Sequence, residues 1–502
     1  MTITLAMQNA LSGLRVAQSA VATTSHNMSN AQTVGFTRKS LPQEAVIIGG
    51  QGAGVRASEV IRTVDQQLQR DVWRQISLTT NLKTREDFLV KVEQLNGRPE
   101  DETSLSANLA ALRKGFERLS ATPESRTLQI DTLTQAESVA RQFNRMADQY
   151  QALRNDTQVG IAQGISELNN NITRITELNQ AIIRATQTGR STADLQDQRD
   201  VAIRALSELV DISIAQVADN GIVILTRSGQ TLVGQNPTSF HFTPSALTDE
   251  SFYRLSPAGT IPPIRVGDPI SGSDVTIHLQ GGRIGALIEL RDRTIPQLSA
   301  ELDEAAHKMA LRFQAQTMTL FTGRDGQTVP ANTLGGYVGF ARDIRLSLAA
   351  EGAEFIRYGD NGVPTTPPNL TVSNGVIERV LNFTFGNTAN SNNDAHAAFR
   401  VANLGPDPLA QLQSDLPTVA SLELFVQSLI SGQGLTRAQI ETRRQESQEL
   451  RDALDTRLSN ESGVNIDQEL AQLTILQRSY GASAQVLRTV QTMLDETLAI
   501  LR

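Results

Sequence analysis

No proline occurs between Pro123 and Pro237, and through much of that stretch apolar residues recur at helical spacing. The stripe runs through Ile130, Leu133, Val139, Phe143, Met146, Tyr150, Leu153, Ile161, Ile165, Leu168, Ile172, Ile175, Leu178 and Ile182. Proline is the residue a helix interior tolerates least, so nothing here forbids a helix far longer than the globular mean of about 11–12 residues. At about 1.5 Å per residue, residues 124–188 make a rod of roughly 100 Å, which Gly160 and Gly164 would bend or divide into two collinear helices. A rod of that length needs a long partner. Residues 422–430 and 435–458 are also free of proline and supply one from the C-terminal third.

The two ends of the chain carry a second matched pair of signals. Ile3, Met7, Ala10, Leu14, Ala17 and Val21 alternate by four and three residues. So do Ile466, Leu470, Leu473, Gln477, Tyr480, Ala484, Leu487, Gln491, Leu494, Leu498 and Leu501. That is the spacing of a coiled-coil seam, with two Gln positions that cost stability and help to fix register. Between the N-terminal seam positions lie Thr4, Gln8, Asn9, Ser12, Arg15, Gln18 and Ser19, mostly uncharged, so that face can meet water or protein at little desolvation cost. Pairing the ends with each other places both termini at one end of a rod and the inserts at the other.

Elsewhere the pattern changes to short apolar runs. AVII at 45–48 and VRASEVI at 55–61 read as strands about a glycine-rich turn whose glycines do not match a nucleotide loop. Helices are predicted from Asp65 to Asn96, stopped by NGRP at 96–99, and from Leu105 to Ser120, stopped by Thr122-Pro123. ISIAQV, GIVILT, TLVG and VTIHLQ within 212–283 read as strands between Gly, Asn and Pro turns. Helix returns at 285–318, interrupted by Pro296, and IRLSL, NLTVS and VLNFTF are strand candidates before a loop-rich stretch at 388–420.

With 502 residues, several times a typical domain of about 150, the chain is predicted to be multidomain α+β. Its N- and C-terminal segments, 1–35 and 462–502, form a long α-helical coiled-coil-like rod that serves as the assembly domain. A helical inner domain draws on 36–205, 284–322 and 421–461. The β-rich outer insert is 206–283, and a second β/loop-rich insert is 323–420.

Composition removes several classes of function. Lys and Arg number 45 against 53 Asp and Glu, so no general attraction to nucleic acid or an anionic membrane is expected. Cysteine is absent, which excludes disulfides, thiolate metal sites and Cys nucleophiles. No run of about 18 apolar residues suits a membrane span, and no basic segment followed by an apolar core suits a cleaved secretory signal. Aromatic residues are 4% with Trp73 the single Trp, too few for stacking platforms.

Motifs for chemistry are equally sparse. His26, His241, His278, His307 and His396 form no HExxH and no i,i+4 pair, and no GxSxG elbow is present. His26 reads as a cap or loop residue and His307 as a helix-surface or half-buried one. Asp194, Asp197 and Asp200 recur every third residue, yet with Arg190 and Arg199 interleaved they read as caps, ion pairs and a solvated face. The DG at 325–326 and DNG at 360–362 lack calcium-loop spacing and read as turns. The expectation is a protein that is not an enzyme, with no cofactor, no metal, no nucleic-acid partner and no membrane partner. The alternative is a hydrolase insert in 212–283 or 325–420.

Residues 12–38, SGLRVAQSAVATTSHNMSNAQTVGFTR, resemble the N-terminal motif of bacterial flagellar rod, hook and hook-associated proteins. Asn27, Asn30, Thr33, Gly35 and Phe36 carry the match, with Phe36 where Tyr is usual and Met28 and Ser29 departing from the commonest residues. Residues 462–500 resemble the family's C-terminal end through Asn465, Asp467, Glu469, Leu473, Gln477, Tyr480 and Leu494. Segments 194–214 and 287–296, and the helix through His307 and Phe313, are similar to the hook–filament junction proteins of that family. The resemblance implies a secreted structural subunit at the hook–filament junction, exported by the flagellar type III apparatus. It implies self-association in a ring or short helical turn, contacts with the hook protein and the second hook–filament junction protein, and a cytoplasmic export chaperone at the C-terminal helix. Another axial subunit, the second junction protein or a hook protein, is the alternative that segments 194–214 and 287–313 weigh against.

Overall fold

The computed structural model describes residues 3–48, 50–96, 104–333, 335–362, 370–386, 398–407, 409 and 412–500. Leu501, residues 388–397 of the expected loop and the side chains of Ile3 and Leu498 lie outside them. The chain opens with α1 (Ile3–Ser29), β1 (Lys39–Ser40), β2 (Gln43–Ile48), β3 (Gln51–Ala57) and β4 (Ile61–Arg62). β2 and β3 form an antiparallel hairpin, and β1 pairs antiparallel with β4. The helices α2 (Gln66–Asn96), α3 (Leu105–Ala121), α4 (Arg126–Gln187) and α5 (Ala193–Leu209) follow.

α4 is a single helix of 62 residues, so neither glycine divides it. Gly160 and Gly164 make room instead. A Cβ on either would lie 2.9 Å from Leu287 or 2.8 Å from Ile284, both on α6 (Gly282–Glu289), which crosses α4 there. The apolar stripe of α4 serves two cores. Val139, Phe143, Met146 and Tyr150 join Phe116, Phe313, Phe321 and Phe425 in one, while Ile161, Ile165, Leu168, Ile172 and Ile175 join Val72, Ile76, Leu206 and Ile224 in the other. Burying each such side chain contributes about 1.5–3 kcal/mol.

The insert after α5 holds an antiparallel meander of β5 (Ile212–Gln216), β6 (Ile222–Thr226) and β7 (Thr231–Val233), followed by the short strands β8 (Phe240–His241), β9 (Arg265–Val266) and β10 (Ser273–Asp274). Asp219 and Asn220 both have positive φ, the tight reversal that the twist of β5 and β6 favours. VTIHLQ is not a strand. Asp274 Oδ1 accepts from the Thr276 amide at 2.9 Å and its hydroxyl at 2.7 Å, turning residues 276–278 into a 3₁₀ helix.

After α6, a π turn at Leu290–Thr294 leads directly into α7 (Ile295–Ala315), so Pro296 does not interrupt the helix. Ile295 N donates to Leu290 O, five residues back, and the missing N–H of Pro296 falls where this wider turn has already shifted the ladder. β11 (Phe321–Thr322) pairs with β12 (Arg345–Leu346), the part of IRLSL that is a strand, with α8 (Phe340–Asp343) just before β12 and α9 (Phe355–Tyr358) after it. The other two strand candidates are helical. Leu370–Arg379 forms α10 and Val380–Thr384 a π turn, because Val376, Ile377 and Val380 lie on one helical face buried in the first core. α11 (Leu422–Ser462) runs unbroken along α2, and α12 (Ile466–Ile500) packs along α1. The architecture is mixed α+β, a long helical body with strand-bearing inserts.

Candidate functional site at the paired chain ends

α1 and α12 run antiparallel. A Cβ on Gly13 would sit 3.2 Å from Ser483 Oγ, and Asn27 Nδ2 donates to Glu469 Oε2 at 3.1 Å. The same interval separates the two contacts on both helices, which fixes the register. The packed face is turned slightly from the one the apolar spacing predicts. On α1, Ala10 and Ala17 are buried as expected, but the second line runs through Gly13, Ala20 and Asn27, leaving Met7, Leu14 and Val21 half-buried beside it. On α12, Leu473, Leu487 and Leu494 are half-buried and the second line runs through Glu469, Leu476, Ser483 and Val490. Ala484 is half-buried, while Ile466, Leu470, Tyr480, Gln477 and Gln491 face outward, contrary to their seam assignment. Small residues set the closest approach of the backbones, and a count of large apolar residues overlooks them.

Below the pair, the motif residues divide into two groups. Asn30 donates to His26 O at 3.0 Å and accepts from Thr33 Oγ1 at 3.2 Å, shaping the exposed turn that ends α1. His26 packs edge-on against Phe36, with centroids 5.4 Å apart, and caps nothing. Gly35 has φ +79°, and a Cβ there would meet Val201 of α5 at 2.2 Å, so only glycine allows the chain to lie this close. Asn27 is buried: its amide donates to Lys39 O at 2.8 Å and its oxygen accepts from Lys39 N at 3.0 Å, holding β1 as a neighbouring strand would.

The segment after the motif is clamped at both sides. Toward the C-terminal helices, Arg38 N donates to Ser462 O at the end of α11 at 2.8 Å and Arg38 Nε reaches Glu469 Oε1 of α12 at 2.6 Å. Toward α5, Asp197 accepts from Thr37 N at 3.2 Å, Thr37 Oγ1 at 2.6 Å, Lys39 Nζ at 2.7 Å and Arg62 Nη1 at 2.8 Å. Arg62 also pairs with Asp200 at 2.7 Å, and Lys39 with Asp194 at 3.0 Å while its Nζ lies 3.4 Å from the centre of the Phe36 ring. Burial works to lower the Arg62 guanidinium pKa, and the two carboxylates overcome it and hold the group above its ordinary value. The three aspartates are therefore no solvated face, since only Asp194 is exposed. Lys39 and Arg62 carry no pattern that singles them out in the sequence.

A second buried polar cluster lies on α7. Asp303 accepts the amides of Gly339 and Ala341 at 2.8 Å each, and Glu304 accepts the Tyr337 hydroxyl at 2.5 Å and the Arg400 amide at 2.6 Å. Burial pushes the Asp303 carboxyl up to about 7, against the lowering effect of its two amide donors. His307 is fully buried, not half-exposed, stacked on Tyr337 at 4.1 Å with a ring nitrogen 2.8 Å from Pro330 O. These bonds staple Pro330, Tyr337, Gly339, Ala341 and Arg400 to α7. Asp325 accepts the neighbouring amides of Gln327 and Thr328 in a turn, whereas Asp360 accepts from the distant Thr319 amide and hydroxyl at 2.9 Å each, with Gly326 and Gly362 at positive φ. Among the described residues no group of three or more His, Asp or Glu is gathered for a metal, and no helix is long and apolar enough to cross a membrane.

Known proteins are similar in sequence to this chain. Residues 89–328 match the family described as flagellar hook-associated protein FlgK helical domain, and residues 458–500 match the flagellar basal body rod FlgEFG protein C-terminal family. Flagellar hook-associated protein 1 of Escherichia coli strain K12 is 25% identical, covering 98% of this chain and 99% of its own length. The Salmonella typhimurium strain LT2 protein of that name is 26% identical with the same coverage, and that of Bacillus subtilis strain 168 is 21% identical over 98% of this chain and 97% of its own. Paired terminal helices on a long helical body, with these matches, define a flagellar axial structural protein. Along nearly its whole length the chain is similar to the hook-associated protein 1 family.

Proposed function

We propose that this protein joins the flagellar hook to the filament, as a structural subunit that is neither an enzyme nor dependent on a cofactor. The observation that carries the reading is the outer surface of α12. Ile466, Leu470, Ile475, Val486 and Met493 are each 45–59% exposed on a helix whose only charges between Leu470 and Leu494 are Arg478 and Arg488. A surface of that kind is stable when neighbours cover it, and the names of the relatives point to hook association. On this reading the terminal helices are a coiled-coil-like assembly device, and copies associate in a ring or short helical turn. The hook protein lies on one side and the second junction protein on the other. The chain reaches that place by flagellar type III export, with a chaperone shielding the C-terminal helix beforehand.

The test is electron microscopy of flagella from a strain lacking the chain, beside the same strain complemented. Loss of the filament with hooks retained is expected. Intact filaments on the deletion strain would remove the junction reading.

A further inference from the structure

We propose that the β2–β3 hairpin is a docking element that seats on the outward face of α12 in a second copy of this chain. The hairpin is a two-stranded sheet, and every described residue of β2 but one is exposed. Its free end carries Ile47 and Ile48, 70% and 69% exposed. Two strands alone are marginal in water, and this pair is steadied from one side by α1. Val55 N donates to Ser12 Oγ at 3.1 Å, and Gly54, at φ +108°, lets the strand lie where a Cβ would meet that oxygen at 2.3 Å. The support leaves the outer edge of β2 and both isoleucines uncovered, an arrangement natural sheets avoid unless something pairs with it.

The complementary surface is on the same molecule but out of the hairpin's reach. Ser12 faces the hairpin and Gly13 faces α12, adjacent residues about 100° apart around α1. On α12 the positions one residue away from the buried line, Ile475, Ala482, Val486 and Met493, form an exposed, uncharged stripe at heptad spacing. Arg478 and Arg488 border it, while at the hairpin Glu44 pairs with Arg56 at 3.1 Å and leaves Glu59 of the following loop as the net charge, opposite in sign to the two arginines. The hairpin is continuous with the α1–α12 pair. A contact of one hairpin with one α12 face uses different surfaces on the two partners, so it propagates from copy to copy into a ring or helix and does not close as a dimer. The inference rests on the self-association in the proposed function and adds the surfaces that meet.

The chain contains no cysteine, so introduced thiols report without background. Ile48→Cys combined in turn with Ile475→Cys, Val486→Cys or Met493→Cys, in flagella oxidised before denaturing electrophoresis, is expected to give a ladder of covalent multimers for at least one pair. Each single variant should give none, and neither should Ile48→Cys with Thr492→Cys. Absence of the ladder from all three pairs in flagella with normal filaments overturns the docking while leaving the junction role intact. Linkage of Ile48→Cys to a protein of another mass overturns it too. As a second measurement, the exposed change Ile48→Asp should leave the melting curve of the secreted monomer unchanged and reduce filament number at least tenfold. Wild-type filament number with this variant would also overturn the proposal.

Discussion

Replacing Lys39 by Met keeps a side chain of similar length and removes the ammonium that lies over Phe36 and pairs with Asp197. The consequence follows from counting charges that water cannot reach. Lys39, Arg62, Asp197 and Asp200 have side chains 2%, 10%, 8% and 12% exposed, two of each sign, while Asp194 is 62% exposed. Lys39→Met leaves Asp197 with only the Arg62 guanidinium as a cationic partner, which it shares with Asp200 while buried Arg199 also interacts with Asp200, and breaking a buried pair costs about 3–5 kcal/mol. Asp197→Asn removes more hydrogen bonds but leaves Lys39 with Asp194 and Arg62 with Asp200. Its cost should stay at about 1.5 kcal/mol, the low end for a hydrogen bond to a charged group. Both losses are local, because the cluster joins β1 to α5 and belongs to neither apolar core. Hydrogen exchange is therefore the suitable assay. The amides of Thr37, Arg38 and Lys39, bonded to Asp197, Ser462 and Asn27, should exchange a hundredfold or more faster in Lys39→Met and only about tenfold faster in Asp197→Asn, at about 1.4 kcal/mol per decade. Amides of α4 around Ile165 should not change. Equal effects from the two variants, or a matching loss of protection in α4, would refute the charge count and the locality.

Gly35→Ala places a methyl against Val201 in a left-handed backbone, and the two penalties together should cost about 2–4 kcal/mol. The check is proteolysis at residues 30–38: adding Val201→Ala should restore only part of the resistance, and full resistance in Gly35→Ala alone would show that the segment can move aside. Asp303 predicts a pH dependence. Its folded pKa of about 7 exceeds the ordinary 3.8, so between those values the folded chain holds a proton that the unfolded chain has released. The resulting stabilisation is complete below about pH 4 and is lost as pH rises through about 7; buried Glu301, Glu304 and Asp249 shift the same way and add to the slope. Exchange of the Gly339 and Ala341 amides, corrected for intrinsic rates, should speed up from pH 5 to pH 8 in the wild type and less in Asp303→Asn; a flat wild-type profile would contradict it.

Much of the helical frame is legible because its signals are local. The breaks at NGRP and Thr122-Pro123 stop α2 and α3 where backbone chemistry requires. VLNFTF at 380–385 misleads because β-branched Val and Thr and aromatic Phe suit strands, while the core takes Val380, Thr384 and Phe385 from a π turn and the residue that caps it. The seam shows the same limit more finely. The spacing of apolar residues locates both terminal helices, but Gly13, Ala20 and Ser483, small enough to let the backbones approach, decide which line is innermost. The clamp is the least legible part. Lys39 and Asp197 are 158 residues apart, and no periodicity within either segment announces that an ammonium and a carboxylate will be buried together.

The bond from Asn27 to Glu469 spans 442 residues, and closing a loop of that length in an unfolded chain is slow. It need not be closed that way. Arg38 and Ser462 are already bonded where α11 ends, so once the body has formed, both chain ends emerge side by side from one place and the effective loop shrinks to a few residues on each side. The terminal helices then zip outward from the clamp, Asn27 meeting Glu469 before Gly13 meets Ser483. The outermost turns close last and reopen first, so the far ends of the pair are its least protected turns.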